Sequence, residues 1–268
     1  MRGRKPQYRD ARVPWFEHRR RTPRHTRLHR YLPTMSSRPA IKAILLDIEG
    51  TVCSISFVKD TLFPYALDVL HSFLLTNWTE PWLQPYLLAF PSPERDTPEQ
   101  LEEYIHHATA QDLKIPSLKG LQGLLWKNGY ESGAIKAPIY EDVVPAIQRW
   151  REEGKRVLIY SSGSVPAQKL LFQHTDTVMA DMTPLFGGNY DTVNAGLKQD
   201  PNSYRKIIEQ EGISAAEWLF LSDSVKEVEA AKEAGMDAIV LMRPGNDPLH
   251  RDVRDKHTVV ETFSAISV

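Results

Sequence analysis

The sequence predicts an α/β protein: a doubly wound, Rossmann-like parallel sheet with an all-helical block inserted after its first strand. Three observations predict it. Short apolar runs at Ala43-Ile44-Leu45-Leu46, Arg156-Val157-Leu158-Ile159-Tyr160, Trp218-Leu219-Phe220-Leu221 and Ala238-Ile239-Val240-Leu241-Met242 have the length and composition of buried strands. Amphipathic helical stretches separate the later runs, as the crossovers of a parallel sheet require. Residues from about 59 to 137 carry apolar clusters at helical spacing and no convincing strand.

Taken in order, the first run ends in Asp47-Ile48-Glu49-Gly50-Thr51, where Gly50 allows a sharp turn. Leu62, Phe63, Ala66, Val69, Leu70 and Phe73, then Leu101, Tyr104 and Ile105, then Leu118, Leu121, Leu124, Leu125 and Trp126 mark helices of the inserted block. Pro91-Ser92-Pro93 is a loop inside it. Between Glu141 and Glu153, the side chains of Val143, Val144, Ile147 and Trp150 share one face, and Gly154 supplies the stop. Ser161-Ser162-Gly163-Ser164 leads from the second run into a helix over Val165 to His174. Asp200 and Pro201 open another helix as N-cap and first residue, closed by Gly212. Ser222-Asp223 follows the third run, a helix spans Val225 to Ala234 before Gly235, and Val259-Val260 starts a short fifth strand.

The expected organisation is a basic disordered arm at 1–34, an α/β core at 35–58 and 138–268, and a helical cap at 59–137. The arm carries eleven Lys and Arg against Asp10 and Glu17, about +9, while the rest carries 22 basic and 32 acidic groups, about −10. An acidic globular part argues against a nucleic-acid enzyme. Transit peptide, nuclear-localisation signal and nucleic-acid tail are readings of the arm, but it lacks Ser and holds helix-breaking prolines. The favoured reading takes Met35 as the natural start.

With 41% hydrophobic and 25% charged residues and no apolar run of transmembrane length, the composition is that of a globular protein with no membrane partner. The single cysteine, Cys53, excludes an internal disulfide framework and a cysteine-based zinc cluster, and reads as packing. That fits a reducing compartment: cytoplasm, with the nucleus also open, and mitochondrial targeting a lesser reading of the arm.

Three strand ends bear polar, potentially reactive residues, and in a parallel sheet those ends converge on one edge. Asp47 and Glu49 come from the first, Ser161 and Ser162 from the second, Asp223 from the third, with Lys198 in the loop before a helix. A carboxylate at such a point can attack an electrophile or hold a metal, its neighbour can handle a proton, and the Thr51 hydroxyl can orient the first acid. Each element alone also reads blandly: an acidic turn, a capping serine, a solvated lysine, an N-cap aspartate. His106-His107 reads as a solvated face. Together the set suits a phosphate monoester held with Mg²⁺, whose hard-oxygen ligands would be Asp47, Asp223 and a carbonyl at Glu49. Lys198, hydroxyls and N–H groups at Ser162-Gly163 can meet the phosphate charge. No His-Glu-x-x-His pattern, dinucleotide fingerprint or P-loop appears.

This order of motifs resembles the haloacid dehalogenase-like phosphohydrolases and, more narrowly, the acireductone-forming enolase-phosphatases of methionine salvage. The residues that carry the resemblance are Asp47-Ile48-Glu49-Gly50-Thr51, with Glu in place of the usual Asp at the third position, and Leu118 to Gly123 with Trp126 and Gly129-Tyr130. Tyr160 to Val165, Gln168 to Phe172, Asp191-Thr192, Lys198, Ser203 to Ile207 and Phe220 to Asp223 complete them. The likeness spans about residues 40 to 266. The basic arm and Val52 depart from the family pattern.

The resemblance implies 2,3-diketo-5-methylthiopentyl-1-phosphate as substrate and one Mg²⁺ per subunit, held by Asp47, Glu49 and Asp223. It implies enolisation, then attack of Asp47 on phosphorus to give an aspartyl-phosphate, with Glu49 as proton donor and then base. Ser161, Ser162 and Lys198 are expected to bind the phosphate, and the cap to exclude water and read the methylthio tail. A monomer is expected. Rival readings are a phosphatase for another small ester without enolase activity, and a catalytically silent binding protein tethered by its arm.

Overall fold

The computed structural model describes residues 39–268 apart from 112 and 114. The expected arm at 1–34 lies outside the described residues. The chain enters the sheet at β1 (Ala43–Leu46). A π-helical turn, Val58–Leu62, then leads into α1 (Phe63–Asn77), α2 (Gln84–Leu88), α3 (Pro98–Ala110) and α4 (Pro116–Glu131). The remainder alternates: α5 (Val143–Glu152), β2 (Arg156–Tyr160), α6 (Val165–Gln173), β3 (Asn189–Tyr190), α7 (Pro201–Glu211), β4 (Trp218–Ser222), α8 (Val225–Glu233), β5 (Asp237–Leu241), α9 (Val253–Lys256) and β6 (Val259–Val260).

Among the described residues these strands form one sheet in the order β3-β2-β1-β4-β5-β6, every pair parallel. The sheet is covered on both sides, which explains why its central strands are continuously apolar rather than alternating. Ile44, Leu46, Val157, Ile159, Leu219 and Leu221 face one core, where Ile147 and Trp150 of α5 pack with Phe263. Ala43, Leu45, Leu158, Tyr160, Trp218 and Phe220 face the other, against Tyr204 and Ile207 of α7 and Val228 and Ala231 of α8. Neighbouring residues of one strand thus serve opposite cores.

The helices between Phe63 and Glu131 own a third apolar cluster, including Leu70, Leu74, Phe90, Leu101, Ile105, Leu121 and Leu125. Pro at the first or second position of α1 to α4 fits helix starts, where no N–H partner is lost. The Thr97 side chain caps α3 by accepting from Gln100 N. Where this layer meets the sheet, Tyr130 joins the core that holds Ile44. Trp126 Nε1 donates to the Leu62 carbonyl at 2.8 Å.

Three elements escape the sequence reading, one of them the four-residue α9, which buries only Val253. The two-residue edge strand β3 has no apolar run to announce it. The five-residue α2 buries only Leu87, too little for a helical period to register. Elsewhere the ends move by a residue: β4 runs on to Ser222, and β5 starts at Asp237 and stops at Leu241.

Candidate active site

Strand order reverses about β1, whose neighbours β2 and β4 carry the chain off in opposite directions, and a crevice opens beyond the carboxyl ends at such a point. Asp47, the residue after β1, lies there and is buried. Its Oδ1 accepts from its own neighbour, Ile48 N, at 2.8 Å and meets Lys198 Nζ at 2.5 Å. Its Oδ2 stands 2.9 Å from the Ser222 hydroxyl.

Lys198 is only 8% exposed and bonds a second acid, Glu227 of α8, at 2.7 Å. Burial works against its charge, but Asp47 and Glu227 outweigh that and hold its ammonium above the usual lysine range. Ser222 Oγ also lies 2.9 Å from Glu227 Oε2. A hydroxyl has one proton, so Ser222 can donate to Asp47 or to Glu227 but not fully to both. Burial, then repulsion from Asp47, pushes the Glu227 carboxyl up, against the pull of Lys198.

Asp223 follows β4, and its backbone N–H donates to Thr51 Oγ1 at 3.1 Å. Its carboxylate fills the space a Cβ on Gly50 would take, and the φ of 69° likewise calls for glycine. Burial, then the Asp47 charge, pushes the Asp223 carboxyl up to about 7. The turn that carries Glu49 and Gly50 is clamped from the loop after β5. Asn246 Nδ2 donates to Gly50 O at 2.9 Å, and Arg243 Nε donates to Thr51 O at 3.0 Å. Arg243 is buried between the Tyr140 and Phe263 rings and paired with Asp142 at 2.8 Å. Cys53 is buried in the apolar core beneath, where burial, then the charges of Glu49 and Asp47, push its thiol far up. It is packing, and no nucleophile.

Two expectations about individual hydroxyls change. The sequence points the Thr51 hydroxyl at Asp47; instead its oxygen takes the Asp223 N–H, and Ser222 reaches Asp47. The left-handed turn at Gly50 carries Thr51 towards the end of β4. In the Ser161-Ser162-Gly163-Ser164 turn, the helix cap is Ser164, which accepts from Ala167 N at 3.4 Å. Ser161 is buried, with its hydroxyl accepting from Gly163 N at 3.2 Å, and Ser162 is exposed. The turn is fixed from both sides. Gln168 Nε2 donates to the Gly163 and Tyr190 carbonyls, and Asp191 Oδ2 accepts from Val165 N. Burial works to raise the Asp191 carboxyl, but N–H donors from Asn194, Val165 and Val193 hold it below the usual carboxylate range.

The structure thus brings Asp47 and Lys198 into contact and sets Asp223 within the field of Asp47. Glu49 stands half-buried on the turn between them. Sequence reading missed Glu227, Ser222, Arg243 and Asn246. Only Glu227 leaves a trace, an acid four residues after Asp223 on the first turn of a helix, hence turned back towards it. Among the described residues no three His, Cys, Asp or Glu side chains gather closely enough to hold an ion by themselves. The hard-oxygen donors expected from the sequence are the Asp47 and Asp223 carboxylates and a main-chain oxygen at Glu49, and the two carboxylates stand near each other at this edge. Asp223, raised by burial and then by the Asp47 charge, is a group that a cation would relieve.

Residues 41–235 match the family described as haloacid dehalogenase-like hydrolase. An enolase-phosphatase E1 of Neurospora crassa is 51% identical over 228 residues, covering 84% of this chain and 97% of the relative. The chain belongs to the haloacid dehalogenase-like hydrolases, in the enolase-phosphatase E1 family. Another member, from Chaetomium globosum, is 52% identical over 239 residues, with 87% of this chain and all of the relative covered. The crystal structure of the UTR4 protein of Saccharomyces cerevisiae superposes with a TM-score of 0.74 at 40% identity, over 84% of this chain and 100% of that one. The acid pair Asp47 and Glu49, Lys198 and Asp223 all lie inside the residues matched to the family, and so does Glu227.

Proposed function

We infer that this chain is an enolase-phosphatase of methionine salvage, converting 2,3-diketo-5-methylthiopentyl-1-phosphate to acireductone and inorganic phosphate. The observation that carries the reading is the buried Asp47–Lys198–Glu227 cluster at the end of β1, in a chain about half identical to enolase-phosphatases E1.

Asp47 is the nucleophile. One of its oxygens is engaged by Ile48 N and Lys198, and the other by Ser222, so the carboxylate cannot swing. Attack on phosphorus gives an aspartyl-phosphate, and water then releases phosphate. Glu49, one methylene longer than Asp and two residues on, protonates the leaving oxygen and then activates that water. Lys198 is placed to follow the charge from Asp47 to the transferring phosphoryl group, in a site dry enough for that charge to count. Ser161 and Ser162, with the N–H groups of their turn, bind the phosphate oxygens. One Mg²⁺ per subunit, held by Asp47, Asp223 and Glu49 (the last through its carbonyl), would supply polarisation of the substrate ketone and neutralisation of phosphate charge.

The helices over 59–137 act as a cap on a core made of 35–58 and 138–268, excluding water and reading the methylthio tail. Among the described residues no helix is long and apolar enough to cross a membrane. The working form is a monomer of cytoplasm and nucleus whose acidic globular part takes a small phosphate ester and no nucleic acid.

Incubation with the diketone phosphate and Mg²⁺ tests this. The expected result is loss of the diketone absorbance, an enol band, and inorganic phosphate after it. Phosphate without an enol band would reduce the protein to a phosphatase of small esters. No phosphate at all would overturn the reading.

A further inference from the structure

We propose that Tyr160, Ser203 and Tyr204 are positioning residues for Lys198, their hydroxyls holding three consecutive loop carbonyls so that the ammonium is delivered to Asp47. Tyr160 Oη donates to the Gly196 carbonyl at 2.8 Å, Ser203 Oγ to the Leu197 carbonyl at 2.8 Å, and Tyr204 Oη to the Lys198 carbonyl at 2.7 Å. The inference rests on Lys198 serving the phosphoryl transfer.

Loop carbonyls ordinarily turn to water. Here three in a row are turned onto side-chain donors. Apolar burial does not explain the loop's order, because Val193 is 87% exposed and Leu197 69%, leaving Ala195 as its buried apolar anchor. Fixing three successive peptide planes fixes the Cα–Cβ direction of Lys198. A lysine has a long flexible stem, so this direction decides how much freedom its head must lose.

The donors themselves stand on rigid ground. The Tyr160 and Tyr204 rings are fully buried, meet edge to face at 5.4 Å, and Tyr204 meets Phe220 of β4 in the same way at 5.2 Å. Tyr160 also sets its ring 6.0 Å from Lys198 Nζ, so the residue that holds the Gly196 carbonyl also faces the ammonium. Gly196, with φ of 128°, completes the fit: a methyl group there would collide with the Ser203 hydroxyl. Burial, only partly offset by Ser203 and Lys198, pushes the Tyr160 phenol up to about 12, and burial raises Tyr204 as well. Both phenols therefore remain donors at any working pH.

The test uses the whole chain with Tyr204→Phe, Ser203→Ala and Tyr160→Phe. Each change is expected to lower kcat for phosphate release at least tenfold while KM moves less than threefold. In substrate-free protein, acetylation of Lys198 by acetic anhydride, followed by mass spectrometry, should quicken severalfold. In a Lys198→Ala background, Tyr204→Phe should cost less than twofold, since the group it positions is gone. A fall in Tm with kcat and Lys198 labelling unchanged would make the hydroxyls merely structural and overturn the proposal. An equal loss in both backgrounds would do the same. If Lys198→Ala itself kept full activity, the role of Lys198 would fail, and the labelling result alone would decide whether the hydroxyls position it. Should Tyr204→Phe not fold, Ser203→Ala, the smallest deletion of the three, gives the same readouts.

Discussion

The Lys198 ammonium and the Asp47 carboxylate meet at 2.5 Å, both buried, though one follows β3 and the other follows β1. Glu227 takes the far side of the same ammonium at 2.7 Å. One cation therefore balances two carboxylates, with the Asp223 carboxyl close enough to feel them. The sheet edge is left with an excess of negative charge, which a proton or a bound cation relieves.

Lys198→Ala is predicted to weaken transition-state stabilisation by about 2–4 kcal/mol, the scale of losing one preorganised charge donor. It should also destabilise the fold by about 3–5 kcal/mol, because two buried carboxylates are left facing each other. Steady-state kinetics and urea titration measure the two effects. A change in kcat below threefold would make Lys198 a lysine without catalytic duty.

Asp47→Asn is predicted to abolish phosphate release and leave the far-ultraviolet circular dichroism unchanged. The amide keeps the size of the side chain but replaces the anionic carboxylate with a neutral, far weaker nucleophile. A substantial residual rate, on enzyme shown by mass to be free of deamidation, would exclude the covalent route.

Glu227→Gln keeps the shape of the side chain and its reach to Ser222 while deleting one charge from Lys198. Turnover is predicted to drop about tenfold, roughly the 1.4 kcal/mol expected of a weakened charge-assisted contact. Since Lys198 would then belong to Asp47 alone, the Mg²⁺ requirement should shift little. A variant with the wild-type rate would place Glu227 outside the working set.

Stability of the Mg²⁺-free protein is predicted to fall as pH rises from about 4 to about 8. The Asp223 carboxyl titrates near 7 in the folded protein and at 3.8 as a free side chain. Over that interval the folded state binds more protons than the unfolded one, so each rise in pH costs stability, on the order of a few kcal/mol in all. Below the unfolded value the contribution is fully present; above about 7 it is gone. Mg²⁺ competes with that proton and should therefore raise Tm more at pH 8 than at pH 5. Scanning calorimetry with EDTA and with Mg²⁺ checks both arms, and an Mg²⁺ benefit larger at pH 5 would contradict the assignment of Asp223.

Asp223→Ala is predicted to raise the Mg²⁺ concentration needed for half-maximal activity by at least tenfold. It also relieves the repulsion on Asp47, so the variant should gain stability at pH 8 in EDTA. An unchanged metal titration would remove Asp223 from the cation site.

The parallel sheet is legible in the chain before any folding is considered. A strand buried on both faces must be apolar throughout, so Ala43–Leu46, Arg156–Tyr160 and Trp218–Ser222 declare themselves without reference to any neighbour. The sequence also marks which strand ends carry polar side chains, because Asp47, Ser161 and Asp223 follow those runs directly, with Lys198 in the loop between the last two. What it left open is local and small: β3 pairs through only two residues, and α2 is barely more than a turn.

Who touches whom at the sheet edge comes from the folded arrangement alone. Ser222 belongs to a strand in one dimension and to Asp47 in three. Thr51 turns away from the acid four residues before it to cap the Asp223 N–H. Glu227, Arg243 and Asn246 reach the site from elements that read as ordinary helix and loop. Strand propensity is written into each segment separately. Hydrogen bonds and ion pairs depend on distances that exist only after the strands have stacked in register.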